Sequence, residues 1–413
     1  MKAPRERSPA KVGTRQDRSA ARAGGKALLR LRFFEHQREL EERAVVPKAP
    51  ARPLVARGAR RPAGAAGAEP TSPYADAFEA VHEEATDAAA ATTPPVWRPL
   101  GPFSIPHGQT YGWGPGSRPS VAGRISSVAV DPSDPAHVLI GAGGGGIWET
   151  RDGGKTWEPR ADDKPSLAIG AIAFDPSNPA IVYAGTGEGD FFSRLGVGLL
   201  RSTNGGRTWQ VRARGAFVGS GFFDLVVDPL NGNHVLAATE LAVYESVNGG
   251  STFRRRRNMW AWDLSMHPAV PGDADSTKEV FAACADGLFR STDGGTTWRR
   301  VALPNAPSYW ERLEVCHCPA DGDVVYVFGA GGGGAARLYR RSTFGGAFTR
   351  IAPPRGLETA QAWYDWFAAT APNNPDVVYL GAIEVHKGRR GANGRWSWST
   401  ISARGSGESI HPD

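Results

Sequence analysis

Cysteine is scarce in this chain. Cys284, Cys316 and Cys318 are the three among 413 residues, too few for a disulfide framework. Cys316-His317-Cys318 alternates along a strand, so the thiols face one side and the imidazole the other, which excludes a zinc site built from the three. No run of roughly 18 apolar residues exists, and a transmembrane helix is excluded with it. Arg5, Arg7 and Lys11 are not followed by an apolar core of about 7–15 residues. Arg60-Arg61 precedes a stretch of Pro, Ala and Gly too weakly apolar for a twin-arginine signal. With no signal peptide the sequence reads as cytoplasmic. The glycine runs at 141–146 and 331–334 lack the Gly-Lys-Ser/Thr ending of a phosphate loop.

What is abundant points elsewhere. Glycine reaches 52 residues and proline 32, yet tryptophan reaches 13, a pairing that predicts many tight turns around an aromatic-packed core. Charge is uneven. Residues 1–61 hold 17 Lys/Arg against 6 Asp/Glu, a balance of +11 within a chain of net +6, which leaves the remainder at −5. Residues 1–95 read as a basic Ala/Arg/Pro-rich leader, mostly disordered, with two short helical stretches, one over 27–43 and one opening at Ser72-Pro73. A mildly acidic body gives no reason to expect nucleic acid there.

An eight-residue phrase sets the architecture of 96–413. It reads Thr150-Arg-Asp-Gly-Gly-Lys-Thr-Trp157 and returns at Ser202–Trp209, Ser246–Phe253 and Ser291–Trp298, with a worn copy at Ser342–Phe348. Its third positions, Asp152, Asn204, Asn248, Asp293 and Phe344, are spaced by 52, 44, 45 and 51 residues, the length of one four-stranded propeller blade. Asp or Asn accepts bonds from turn amides, and the paired glycines supply positive φ. These residues are structural: nothing in the phrase positions an acid, a nucleophile or a metal cage. A second phrase alternates with it, as in Asp131-Pro-Ser-Asp-Pro and Asp175-Pro-Ser-Asn-Pro, closing the hairpin between two strands.

The alternating phrases resemble the Asp-box (bacterial neuraminidase repeat) β-propellers, a group spanning sialidases, xyloglucan hydrolases and the sortilin ectodomain. The likeness covers about residues 97–413 and extends to Gly123-Arg124-Ile125, Gly141–Trp148 and Gly185-Thr-Gly-Glu188. It implies an all-β fold, a monomer, and proteins that are often secreted, against the missing signal. Six blades can be laid out, and Trp97-Arg98-Pro99 mimics a lone outer strand. Two arrangements are open: a truncated seven- or eight-bladed ring, which is preferred, or a compact six-bladed ring in which Trp97 extends the last blade.

In a propeller the first strand of each blade lines the channel. Registering the blades on their turn prolines places Ser127, Ala171, Asp224, Asp263, Glu314 and Phe367 at one level, so three consecutive blades contribute a carboxylate. Converging carboxylates raise each other's pKa unless a cation or hydrogen bonds relieve them. They are candidates for a glycosidase acid pair, for holding a hard cation such as Ca²⁺, or for bonding backbone amides of the next blade. The loop 185–194 offers Glu188, Asp190 and Arg194 among glycines as ligand contacts; Arg124, an echo of the sialidase arginine motif, could be gathered with Arg194 and Arg312, though nothing in their spacing compels it. Trp260 and Trp310 stand at strand entrances, where sugars stack on indoles and where core packing is equally natural. Tyr364-Asp365 resembles a Tyr-Asp pair of the sialidase-like relatives and adds Tyr364 to the catalytic candidates and Asp365 to the binding ones. The full arginine set of a sialidase is not evident. The leading expectation is a binding module for a glycan or protein at the channel mouth. The alternatives are a glycoside hydrolase, sialidase-like or β-glucan-cleaving, and a structural or assembly protein.

Overall fold

The computed structural model describes residues 123–190, 196–331 and 334–402. The leader 1–95 with its two helices, Trp97 and Arg194 lie outside the described residues. Twenty-four strands form six antiparallel sheets of four, each in sequence order from the inner strand outward.

Blade one comprises β1 (Ile125–Asp131), β2 (Asp134–Ala142), β3 (Gly146–Thr150) and β4 (Glu158–Pro159). Blade two comprises β5 (Ile169–Phe174), β6 (Val182–Thr186), β7 (Leu199–Ser202) and β8 (Gln210–Arg212). Blade three has β9 (Phe222–Asp228), β10 (Asn231–Thr239), β11 (Val243–Ser246) and β12 (Arg254–Arg257). Blade four has β13 (Ala261–Met266), β14 (Val280–Cys284), β15 (Gly287–Ser291) and β16 (Arg299–Arg300). Blade five is β17 (Trp310–Cys318), β18 (Asp321–Gly331), β19 (Ala335–Arg341) and β20 (Thr349–Ile351). Blade six is β21 (Phe367–Ala371), β22 (Asn374–Gly381), β23 (Val385–Arg390) and β24 (Trp396–Thr400). The expected order of strand, proline turn, strand, strand, Gly-Gly turn, strand is found in blades one to five, and blade six keeps the strand order with a different last turn.

In blades one to four the repeated phrase closes the turn before the outer strand by local bonds. Asp152 Oδ1 accepts the N–H of Lys155 and of Thr156 at 2.9 Å, and Oδ2 accepts the Thr156 hydroxyl at 2.7 Å. These bonds, Thr156 foremost, hold its carboxyl at about 2. Asn204, Asn248 and Asp293 repeat the bond to Thr208, Thr252 and Thr297. Gly294 and Gly295 stand at φ +73° and +94°, and a Cβ on Gly295 would lie 2.8 Å from Leu236 of the preceding blade. Gly206 meets Leu139 and Gly250 meets Leu199 in the same way, so in these blades the turn seals onto its predecessor.

Five apolar clusters lie between consecutive blades, from Leu139, Ile147 and Ile172 between the first two to Phe328, Trp366 and Leu380 between the last two. Burying each such side chain contributes roughly 1.5–3 kcal/mol, which makes blade-on-blade packing the main source of stability. The inner strands pack in series, β1 on β5, β5 on β9, β9 on β13, β13 on β17 and β17 on β21. No comparable packing of β21 on β1 joins the ends among the described residues. On β1, Val128 and Val130 are exposed. None of the described helices is long and apolar enough to cross a membrane.

Candidate functional site

The three carboxylates placed at one level by the turn prolines do converge, on β9, β13 and β17. Asp224 Oδ2 accepts the N–H of Leu264 on β13 at 3.0 Å. Asp263 Oδ2 accepts the N–H of Val315 on β17 at 2.7 Å. Each therefore ties its inner strand to the next. Ser265 Oγ continues the pattern by accepting the His317 N–H at 2.9 Å, and Thr370 donates to the His317 carbonyl at 3.1 Å.

Burial pushes all three carboxyls upward. Asp224 rises to about 6 and Glu314 to about 7, while Asp263, which also faces the charges of Glu314 and Asp224, rises well above the carboxylate range. Arg312 works against burial at Glu314, donating Nε–H to Oε1 at 2.6 Å. The three carboxyls are thus raised together, Asp263 under the charges of both its neighbours.

Arg312 also reaches across the blades. Its Nη1 donates to Asp190 Oδ1 at 2.5 Å, 122 residues away, and its guanidinium lies over the Phe223 ring at 5.4 Å. Asp190 stands on the loop after β6 beside Glu188, whose Oε1 accepts the Asp190 N–H at 3.2 Å. Glu188 is buried and pairs with both terminal nitrogens of Arg124, at 2.8 and 2.7 Å. Burial raises its carboxyl pKa against the pull of Arg124. The loop is held close by Gly187 at φ +87°, where a Cβ would lie 2.1 Å from the Ser220 carbonyl oxygen. A continuous line of charged groups from five blades results: Arg124, Glu188, Asp190, Arg312, Glu314, Asp263 and Asp224.

The aromatic candidates are divided. Trp310 is buried in the cluster between blades four and five, edge-on to Tyr339 at 6.5 Å, so its ring is covered by core. Trp260 is half-buried against Phe223 and Trp262. Tyr364 and Asp365 lie in the turn before β21, each donating its backbone N–H to the Gln361 carbonyl, and the Tyr364 ring packs on Trp363 at 4.3 Å. The described residues contain no group of three or more His, Cys, Asp or Glu arranged to hold a metal ion, since the three carboxyls' oxygens meet backbone N–H groups and Arg312.

Sequence reasoning missed the role of Arg312. Its alternation with Glu314 on β17 puts both on the channel side, and that was the available signal. It also missed a second buried node. Arg341 donates two bonds of 2.6 Å to Glu279, and His317 Nε2 lies 3.3 Å from the same carboxylate.

No family model matches the sequence. The chain is 25% identical over 280 residues to a xyloglucanase from a Paenibacillus species, a match covering 62% of this chain and 24% of that enzyme. Among solved structures it resembles an ancestral GH74 enzyme, with a TM-score of 0.55 and 19% identity over 74% of this chain and 41% of the other. The GH74 enzyme of Niastella koreensis gives a TM-score of 0.52 at 19% identity, over 66% and 46%. The chain thus spans about a quarter of the curated relative and under half of these structures, and what it shares with the structures is the β-propeller fold.

Proposed function

We propose that this propeller is a glycoside hydrolase acting on a β-glucan of the xyloglucan kind. The observation carrying the proposal is the convergence of three buried carboxyls, Asp224, Asp263 and Glu314, on adjacent inner strands, with Arg312 bonded to one of them and burial raising all three. Glycoside hydrolysis needs one carboxyl that holds a proton and one that has lost it. Glu314 passes its proton to the glycosidic oxygen as the C–O bond breaks. Asp224 takes a proton from the water that adds to the anomeric carbon. Asp263, raised by burial and by both neighbours, lies in the same cluster, and Arg312, held by Asp190, orients Glu314. The match to a xyloglucanase supports the substrate class, and the repeated turn phrase fits the Asp-box group of propellers.

A second reading, recognition of the glycan without turnover, is favoured by one observation. Asp224 and Asp263 each already give an oxygen to a backbone N–H. Incubation with xyloglucan, with bound polymer and released reducing ends measured together, separates the two. Release that disappears in Glu314→Gln supports hydrolysis. Binding without release supports recognition.

A further inference from the structure

Blade six departs from the repeat. Blades one to four carry the Asp/Asn-Gly-Gly phrase and blade five a worn Phe344-Gly-Gly copy, whereas the last turn of blade six reads Arg390-Gly-Ala-Asn-Gly-Arg395-Trp396. In blades two to four the turn glycines press on a leucine of the preceding blade, whereas Cβ atoms on Gly391 and Gly394 would meet only atoms of their own turn. The seal is missing, and a cavity of about 880 Å³ opens between the outer parts of blades five and six.

Its lining is distinctive. Arg340, Arg350, Arg355, Arg390 and Arg395 face it, and no carboxylate does. Arg340 and Arg390 lie 3.2 and 3.6 Å from Asp376, while Arg350, Arg355 and Arg395 have no ion pair among the described residues. Beside them Trp396 and Trp398 are nearly parallel, with ring centroids 5.8 Å apart and 20° between planes. Trp398 is fixed by Nε1–H donation to the Ala352 carbonyl at 3.2 Å.

We propose that this cavity is a binding site for an acidic oligosaccharide, a uronate chain whose carboxylates take the arginine forks while its pyranose faces rest on the two indoles. A guanidinium matches a planar carboxylate with two parallel N–H bonds, and an indole face accepts the apolar face of a sugar. The turn offers no phosphate cradle, because the Gly391 and Gly394 amides are bonded to Arg395 and Gly391 within it. The saccharide class rests on the glycan reading of the channel; the cavity itself lies apart from it.

The test is calorimetric titration of the full chain with two uronate tetramers, galacturonate and hyaluronan-type, against the methyl-esterified galacturonate tetramer and ATP. Saturable binding of a uronate is expected, at least tenfold weaker for the ester and weakening as salt rises. Arg350→Ala/Arg395→Ala, with an unchanged melting temperature, lowers it at least tenfold, and the matching double lysine variant recovers only part. Glu314→Gln leaves it unchanged. The proposal is overturned by no uronate binding, by equal binding of the ester, by ATP binding more tightly, or by lysine variants as good as the arginines. Xyloglucan release is read separately, so uronate binding without release fails the channel reading alone, and release without uronate binding fails this one alone.

Discussion

Asp263 Oδ2 accepts the Val315 N–H at 2.7 Å, so a carboxyl at the centre of the candidate site is also a tie between the inner strands of blades four and five. Asp263→Ala leaves that N–H without its acceptor and is expected to cost about 1–3 kcal/mol. Asp263→Asn keeps an acceptor oxygen and a donor in the protonated acid's shape, so it costs less than half as much. Thermal melts of the two variants compare them directly; equal losses would show that the tie is unimportant.

The raised carboxyls fix the sign of a pH effect. Glu314 at about 7 and Asp224 at about 6 stand above their ordinary values of 4.5 and 3.8. Between those limits the folded state binds more protons than the unfolded chain, so their contribution to stability falls as pH rises from about 4 through about 7. Glu314→Gln removes its own share of this effect. Its urea midpoint relative to the unsubstituted chain is expected to improve between pH 5 and pH 8, and a constant difference would contradict this.

The Glu279–Arg341 pair behaves oppositely. Burial pushes the Glu279 carboxyl up, but Arg341 and His317 outweigh it and hold it at about 2 against an ordinary 4.5. Its stabilisation is full above about pH 4.5 and is lost as pH falls toward about 2. Arg341→Ala leaves the buried Glu279 carboxylate with Arg290 and His317 and is expected to cost about 1.5–3 kcal/mol at pH 7, with a smaller penalty at pH 3. Denaturant unfolding at the two pH values checks both.

Local chemistry made the blades legible. The turn phrase folds through bonds within a few residues, so its spacing counted five of the six blades, and the turn prolines registered Asp224, Asp263 and Glu314 correctly. The turn at the end of blade six carries no such phrase, and the Ala371-Pro372 turn marked that blade instead. What stayed hidden depends on partners far away in the chain. Asp190 meets Arg312 across 122 residues, and Glu279 meets Arg341 across 62. Periodicity sorts the faces of a strand but does not name the side chain opposite. Trp310 illustrates the same limit: an indole at a strand entrance reads alike whether a sugar or Tyr339 covers it.

The turn glycines give a paired comparison. Gly295→Ala meets Leu236 as well as an unfavourable φ of +94°, while Gly345→Ala, at φ +70°, meets nothing within 4 Å. Both pay about 1–2 kcal/mol for backbone conformation, and only Gly295→Ala pays for disturbed packing. Equal unfolding free energies would remove the blade-sealing role of the turn.

The most direct test of the central claim is kcat/KM for reducing-end release from xyloglucan as a function of pH. The account predicts a bell-shaped profile shifted above the ordinary carboxylate range, because burial raises both carboxyls, with Glu314→Gln abolishing release while the fold is retained. A folded protein that releases nothing from xyloglucan at any pH, or a Glu314→Gln variant as active as the unsubstituted chain, would contradict it.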